Sequence, residues 1–489
     1  MVGAGVGGLA CAIELAVAGM RVEVLERAAT PGGKARRVRL GEVAVDAGPT
    51  VLTMPWVFDE LFDAAGASFR AAVPLERASI LARHAWSDGT TLDLHADRQH
   101  SAEAIGEVFG AGEARAYLAF CEDGRRIFEV AEGPFLRSQR PTPGSIVKLG
   151  VAGLAALTQI DSHRSMWRAL EQRFSTPSLR QLFGRYATYC GSSPFEAPAT
   201  LNLVAHVEAE GVYRVGGGMG ELVAALERLA RSIGVDIRYE EDVERVVVEH
   251  GRATGVIARE TLHAADAVVF NGDASALGGA LLGEEAARAA TVTPPGERSL
   301  SAVTWVMRAR PRGFPLLHHN VFFSGDYRAE FDAILRRDTA PPEPTVYVCA
   351  QDRGDVDLQV PEERLFVLMN APATGDYPRR WSDGERERCT TATQAVLARV
   401  GLTLEPSATV QTTPVEFHGL FPGTGGALYG PRSRGAFSAL SRHGAASKVP
   451  GLYLAGGSVH PGPGVPMAAL SGHLAAAAIR ADLGSRGAS

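Results

Sequence analysis

The chain has 489 residues, 46% of them apolar and 21% charged, with 49 basic and 55 acidic residues giving a formal net charge of −6. That length exceeds one simple core and implies two or three domains. The balanced charge, with no compact Lys/Arg run, excludes a nucleic-acid partner. Cysteines stand at 11, 121, 190, 349 and 389, none at CxxC spacing, which fits a reducing cytoplasm better than a disulfide framework.

The chain opens on Gly3-Ala4-Gly5-Val6-Gly7-Gly8, a G-x-G-x-x-G pattern with Gly3, Gly5 and Gly8 at the glycine positions. The first glycine permits a tight turn, the second lets backbone approach a pyrophosphate, and the third lets helix and sheet pack closely. A helix is predicted from Leu9 to Ala18, its N-terminal amides facing phosphate and Cys11 a buried packing residue. A strand from Arg21 to Leu25 follows. Glu26 ends it, where a carboxylate accepts hydrogen bonds from ribose hydroxyls and repels the 2′-phosphate of NADP. Only Met1 and Val2 precede Gly3, whereas a strand typically needs ~5 residues. The expectation is a functional polypeptide that begins upstream of Met1 with a Val/Ile-rich run. No basic n-region or cleavage site suggests a signal peptide.

Thr30-Pro31-Gly32-Gly33-Lys34-Ala35-Arg36 comes next, a glycine turn carrying positive charge. Residues 100–200 are mostly helical in pattern. Within them Pro134–Thr158 combines Arg137, Arg140 and Lys148 with Ile146, Leu149, Leu154 and Leu157. That composition suits an interfacial segment on a membrane surface, or equally an ordinary amphipathic helix. No stretch reaches the ~18 uninterrupted apolar residues of a membrane span. From Gly216 to Asp273 the pattern gives a helix at Glu221–Ser232, with Leu222, Leu226 and Leu229 on one face. Strands follow at Asp236–Tyr239, Val243–Glu249, Ala253–Ala258 and Ala267–Phe270. Residues 300–415 alternate β-rich runs (Ala302–Met307, Thr345–Cys349, Leu365–Asn370) with helices. Residues 422–435 read as a loop. The C-terminal part gives a strand at Leu452–Ala455, the turn Gly456-Gly457-Ser458-Val459-His460-Pro461-Gly462-Pro463-Gly464, and a helix from Ala468.

These motifs resemble the flavin amine oxidase superfamily, in which a Gly-Gly-Arg/Lys turn follows the ribose-binding Glu. Asp46-Ala47-Gly48-Pro49-Thr50 and His460-Pro461-Gly462-Pro463-Gly464-Val465-Pro466 are similar to the bacterial phytoene desaturase family. Gly48–Met54 and Gly425-Gly426-Ala427-Leu428-Tyr429-Gly430-Pro431 resemble its hydroxycarotenoid 3,4-desaturase branch. The resemblance implies FAD, held by Gly3, Gly5, Gly8, Glu26, Gly33, Lys34, Arg36, Val243, Gly456, Gly457, Ser458, Val465 and Met467. It implies an α/β fold: a Rossmann-like FAD-binding domain assembled from segments 1–65, 213–275 and 441–489. An α+β substrate domain is inserted, largely helical over 66–212 and mixed over 276–440. The implied partners are a carotenoid, a membrane surface on the cytoplasmic side, and oxygen or a quinone as electron acceptor.

The chemistry implied is loss of a hydride to flavin and of a proton, through a carbocation allylic to a long polyene. Such a cation needs little help from a dedicated base. This agrees with the absence of any Ser/His/Asp set, metal-ligand spacing or activated cysteine from the sequence. Glu416 and His418 are candidate acid or base groups, each more readily read as structural. His460 is more readily a turn residue than a catalyst. Alternatives on the same scaffold are a phytoene desaturase, an amine or porphyrinogen oxidase, and a flavin-dependent isomerase without net oxidation.

Overall fold

The computed structural model describes residues 1–140, 160–354, 362–435 and 438–487. Asp236–Arg238 pairs in parallel with Glu23–Leu25, and Val268–Phe270 pairs in parallel with Leu452–Leu454. Val2 joins the two pairs, bridging Leu25 on one side and Phe270 on the other. The alternation of side chains along these strands builds two cores. Val24, Val269 and Tyr453 face one, with Leu222, Leu226 and Leu229. Leu25, Val268, Phe270, Leu452 and Leu454 face the other, with Val246 and Val256.

The first face is covered by three helices, Val6–Val17, Met219–Ser232 and Val465–Gly487, the first packing on both others. The predicted leucine stripe of Met219–Ser232 is its buried side, and each leucine so buried contributes roughly 1.5–3 kcal/mol. The crossing of the first and last helices requires glycine. A Cβ on Gly472 would stand 2.3 Å from the Gly7 carbonyl oxygen. The other face is covered by the antiparallel strands Val243–Glu249, Arg252–Ala258 and Thr261–Ala264.

A second sheet has seven strands in the order Leu402–Thr412, Ser301–Gly313, Glu363–Ala371, Val346–Ala350, His319–Phe322, Ile80–Ala85, Thr91–His95. All its pairings are antiparallel except that of His319–Phe322 with Ile80–Ala85. Val303, Trp305, Val346, Val348, Val367 and Met369 pack on one face, under helix Asp383–Arg399. The opposite face presents Thr304, His319, Tyr347, Leu368 and Asn370 to the interior cavity.

The starts of two helices are corrected. The first and last helices start at Val6 and Val465, not at Leu9 and Ala468. A first helical turn needs no amide acceptors, so it admits the glycines and Pro466 that read as turn. The largely helical region 66–212 also contributes strands. Its hairpin Ile80–Ala85/Thr91–His95 forms one edge of the large sheet, around a turn containing Asp88-Gly89. Most of the proposed interfacial segment, residues 141–158, lies outside the described residues.

Candidate functional site

One cavity of about 960 Å³ runs from the glycine-rich turn into the space under the large sheet. Its lining is mainly apolar, with polar groups gathered at two places.

The first place is built from backbone. Gly3 has φ +100°, and a Cβ on Gly8 would lie 2.3 Å from the Gly3 carbonyl oxygen. Gly7, which the motif leaves unassigned, is as crowded, with 2.8 Å to the Ala468 carbonyl oxygen and 2.9 Å to Asn271 Oδ1. No side chain caps the N-terminal amides of the first helix. Glu26 is buried, and its carboxylate accepts from the Ala4 amide at 2.7 Å and the Ala28 amide at 2.9 Å. Each oxygen retains a lone pair for a further donor. Gly33, at φ +57°, sits with its Cβ position 3.5 Å from Gly5 Cα, bringing the second glycine turn against the first.

Lys34 donates to the Leu428 carbonyl at 2.6 Å and lies over the Phe421 ring. Burial pushes its pKa down, opposed by Asp273. Arg36 donates to Thr412 Oγ1 at 3.2 Å and lies over Phe417. Val243 lines the same end of the cavity. Gly456 has φ +114° and donates its amide to Ser471 Oγ at 2.7 Å. Ser458 Oγ accepts from the Ala274 amide at 3.0 Å. Val465 and Met467 line the cavity in the first turn of the last helix.

Sequence reasoning missed three groups here. Asn271 and Asp273 follow the strand Val268–Phe270, where the strand end and Gly272 were an available signal. Asp273 Oδ1 caps a short helix through the Ser275 amide, while its Oδ2 is buried with no partner among the described residues. Arg442, buried, donates to the carbonyls of Tyr429, Gly457 and Pro431 at 3.0, 3.2 and 2.9 Å. No local pattern announces it.

The second place is built from side chains. Tyr186 Oη donates to Glu208 Oε2 at 2.6 Å and Tyr189 Oη to Glu208 Oε1 at 3.1 Å. Arg185 Nη2 donates to Tyr189 Oη at 2.6 Å. Burial raises the Glu208 pKa, opposed by the tyrosine hydroxyls and Arg185. Tyr347 Oη meets both Thr50 Oγ1 and His319 Nδ1 at 2.7 Å. Burial drives the His319 pKa well down, so the ring is neutral.

Glu416, a candidate acid or base, closes a capping box with Thr413 and pairs with Arg386. Its hydrogen bonds from Arg386 and Thr413 outweigh burial and lower its pKa. His418 Nδ1 accepts from the Gly425 amide at 3.2 Å. His460 Nε2 meets the Ser138 carbonyl at 3.0 Å. Each is engaged in holding backbone. The fold also brings ligand atoms of His318, His319 and Cys349 within 4.8 Å of one another, which no sequence spacing indicated. Burial pushes the Cys349 thiol up to about 12, against the thiolate a metal requires.

The flavin containing amine oxidoreductase family matches residues 6–480. The chain belongs to this family. Its cofactor is FAD and it is an oxidoreductase. The cradle fits the group: uncapped helix amides for phosphate, glycines where a Cβ would fill the approach, and a buried carboxylate with spare acceptor sites for ribose. A hydroxyneurosporene desaturase of Rubrivivax gelatinosus is 51% identical, over 99% of this chain and 93% of that protein. A 1-hydroxycarotenoid 3,4-desaturase of Flavobacterium sp. is 30% identical, over 97% of each. An oxidoreductase structure from Methanosarcina mazei superimposes with TM-score 0.61 at 17% identity, covering 96% of this chain and 98% of that one. That likeness supports the α/β FAD-binding fold for this member of the family.

Proposed function

We propose that this flavoenzyme introduces a C3–C4 double bond into a 1-hydroxycarotenoid. The observation that carries the reading is the continuity of the cavity. A dinucleotide cradle opens directly into an apolar chamber walled by Leu182, Leu203, Val204, Val207, Phe128 and Leu368. The desaturase names of the full-length relatives support the same reaction.

FAD in the cradle supplies a hydride acceptor. Gly3, Gly5, Gly8, Gly33, Gly456 and Gly457 give it backbone approach. Glu26 holds ribose, and Lys34, Arg36, Arg442 and Ser458 surround it with donors. Val243, Val465 and Met467 complete its walls. The chamber's apolar side chains align the polyene and exclude water. At the substrate, one hydrogen leaves as hydride and the other as a proton, whose bonding pair becomes the new double bond. Oxygen or a quinone takes the electrons on.

Segments 1–65, 213–275 and 441–489 form the FAD-binding part in this reading, and 66–212 and 276–440 the substrate part. No helix among the described residues is long and apolar enough to cross a membrane. A carotenoid dissolves in bilayers and hardly in water, so the enzyme works attached to a cytoplasmic membrane surface. Flotation with anionic liposomes tests the attachment.

The reaction is tested by expressing the chain in cells making hydroxyneurosporene and, in parallel, in cells making phytoene. The expected product is a red-shifted hydroxycarotenoid two hydrogens lighter. Conversion of phytoene alone assigns the chain to phytoene desaturation instead.

A further inference from the structure

Arg185 stands in the chamber wall, and among the described residues its hydrogen-bond partner is a tyrosine hydroxyl and not a carboxylate. There its single hydrogen bond is Nη2 to Tyr189, and its Nε is buried with no acceptor. A guanidinium is always charged, and leaving its donors unmet beside apolar walls is costly. Tyr189 passes the interaction on to Glu208, which also receives Tyr186. The carboxylate thus balances the cation through a hydroxyl and leaves Arg185 Nη1 without a partner among the described residues. Tyr189 Oη, accepting once and donating once, keeps one lone pair.

We infer that Arg185 and Tyr189 form a subsite that reads the tertiary hydroxyl of the substrate, the alcohol oxygen accepting from Arg185 Nη1 and its proton going to Tyr189 Oη. This rests on the hydroxycarotenoid reading above and deepens it. A hydrocarbon end group would leave the guanidinium unpaired, so the subsite selects hydroxylated over plain carotenoids. Its position suits the reaction. In a 1-hydroxycarotenoid the oxygen-bearing carbon is two bonds from C3, so its reader must stand near the cofactor end. Arg185 begins a short 3₁₀ helix that ends at Cys190. The next residue, Gly191, has φ +65°, and a Cβ there would lie 2.4 Å from the Tyr429 ring. Tyr429 and Gly457 both give their carbonyls to Arg442 at the cofactor end. Arg185 itself interacts electrostatically with Tyr347, whose Oη bonds Thr50 in the turn that follows the cradle. The allylic positive charge formed during reaction spreads along the polyene, away from Arg185.

The test compares kcat/KM for hydroxyneurosporene and for neurosporene, which shares the conjugated polyene but has a terminal double bond in place of the alcohol, in wild type, Arg185→Gln and Tyr189→Phe. Wild type is expected to prefer the alcohol by ~100-fold or more. Either variant should cut that ratio at least ~10-fold, chiefly through KM for the alcohol. An unchanged ratio in Tyr189→Phe, with flavin occupancy and Tm preserved, overturns the subsite even if Arg185→Gln does not fold. So does equal use of both substrates by wild type, which leaves the hydroxycarotenoid reading standing. Failure of wild type to convert any hydroxycarotenoid overturns both.

Discussion

The two ends of the cavity are made in different ways. The cradle is backbone: glycines that admit close approach, helix amides without side-chain caps, and one carboxylate tied to two amides. The chamber is side chain: a sheet face carrying His319 and Tyr347 opposite a helical wall carrying Arg185, Tyr186, Tyr189 and Glu208. A ligand held by backbone constrains a few adjacent residues to be glycine. A ligand held by side chains constrains residues far apart in sequence. The first kind of site tolerates no added atoms, whereas the second should yield to graded changes.

The sharpest way to break this contrast is Gly8→Val. Its Cβ would stand 2.3 Å from the Gly3 carbonyl oxygen, a backbone atom that no side-chain rotation can move aside, and 2.8 Å from Asn271 Nδ2. Flavin occupancy, read as the 450 nm to 280 nm absorbance ratio near those wavelengths, should fall to the baseline of apoprotein. A Gly8→Val protein that retains full flavin would show the cradle to be as adaptable as the chamber.

The difference also explains what the sequence made legible. Gly3, Gly5, Gly8 and Glu26 could be read because tight approach admits only glycine and because the strand between them sets the spacing. The strands Val268–Phe270 and Leu452–Leu454 of the parallel sheet were legible as continuous apolar runs. The hairpin at Ile80–His95 was not, since its partner strand His319–Phe322 lies more than two hundred residues on. Arg442 and Asp273 escaped because burial decides their importance, and burial is a tertiary property. Arg185 and Tyr189 stand four residues apart on one short 3₁₀ helix, yet nothing in that spacing separates a chamber wall from a solvated face.

Within the cradle, Glu26→Ala is expected to act less drastically than the glycine change. It strips the Ala4 and Ala28 amides of their acceptor and removes the ribose partner. FAD affinity should drop by about 1–3 kcal/mol, roughly 5- to 150-fold, measurable by titrating apoprotein with FAD. Unchanged affinity would mean the carboxylate serves the turn alone.

In the chamber, His84 gives a pH signature of its own. It is buried beside the stacked Trp86 and Phe323 rings, and burial, reinforced by Arg185, lowers its pKa from 6.5 to about 3. The unfolded chain takes up this proton as pH falls below about 6.5 while the folded chain does not, so stability is lost on acidification through that range. At about pH 5 the cost is about 1–2 kcal/mol. His84→Phe should flatten the acid limb of Tm against pH by that amount. An identical acid limb in the variant would show that the folded state admits the proton.

The smallest effect expected sits where the two ends meet. Tyr347 Oη bonds Thr50 Oγ1, from the turn that follows the cradle, and His319 Nδ1, from the chamber sheet, each at 2.7 Å. A phenol has one proton and His319 is neutral, so the three groups must share donors in one direction along the chain. Either Thr50 donates to Tyr347 and Tyr347 to His319, or His319 donates to Tyr347 and Tyr347 to Thr50. In the first case His319 Nε2 carries the proton, and that atom is buried with no acceptor among the described residues. In the second, Nε2 is an unprotonated acceptor, which costs less to leave alone than a donor. The second direction is therefore favoured, and Thr50 is its terminal acceptor. Thr50→Val then removes one neutral hydrogen bond, and Tyr347→Phe removes two and strands the His319 proton. The double-mutant cycle should return a coupling of about 1 kcal/mol in thermal stability, with Tyr347→Phe the costlier single change. A cycle that closes to zero would mean the cradle and chamber are joined by packing alone, with no polar link between the region read from backbone and the region read from side chains.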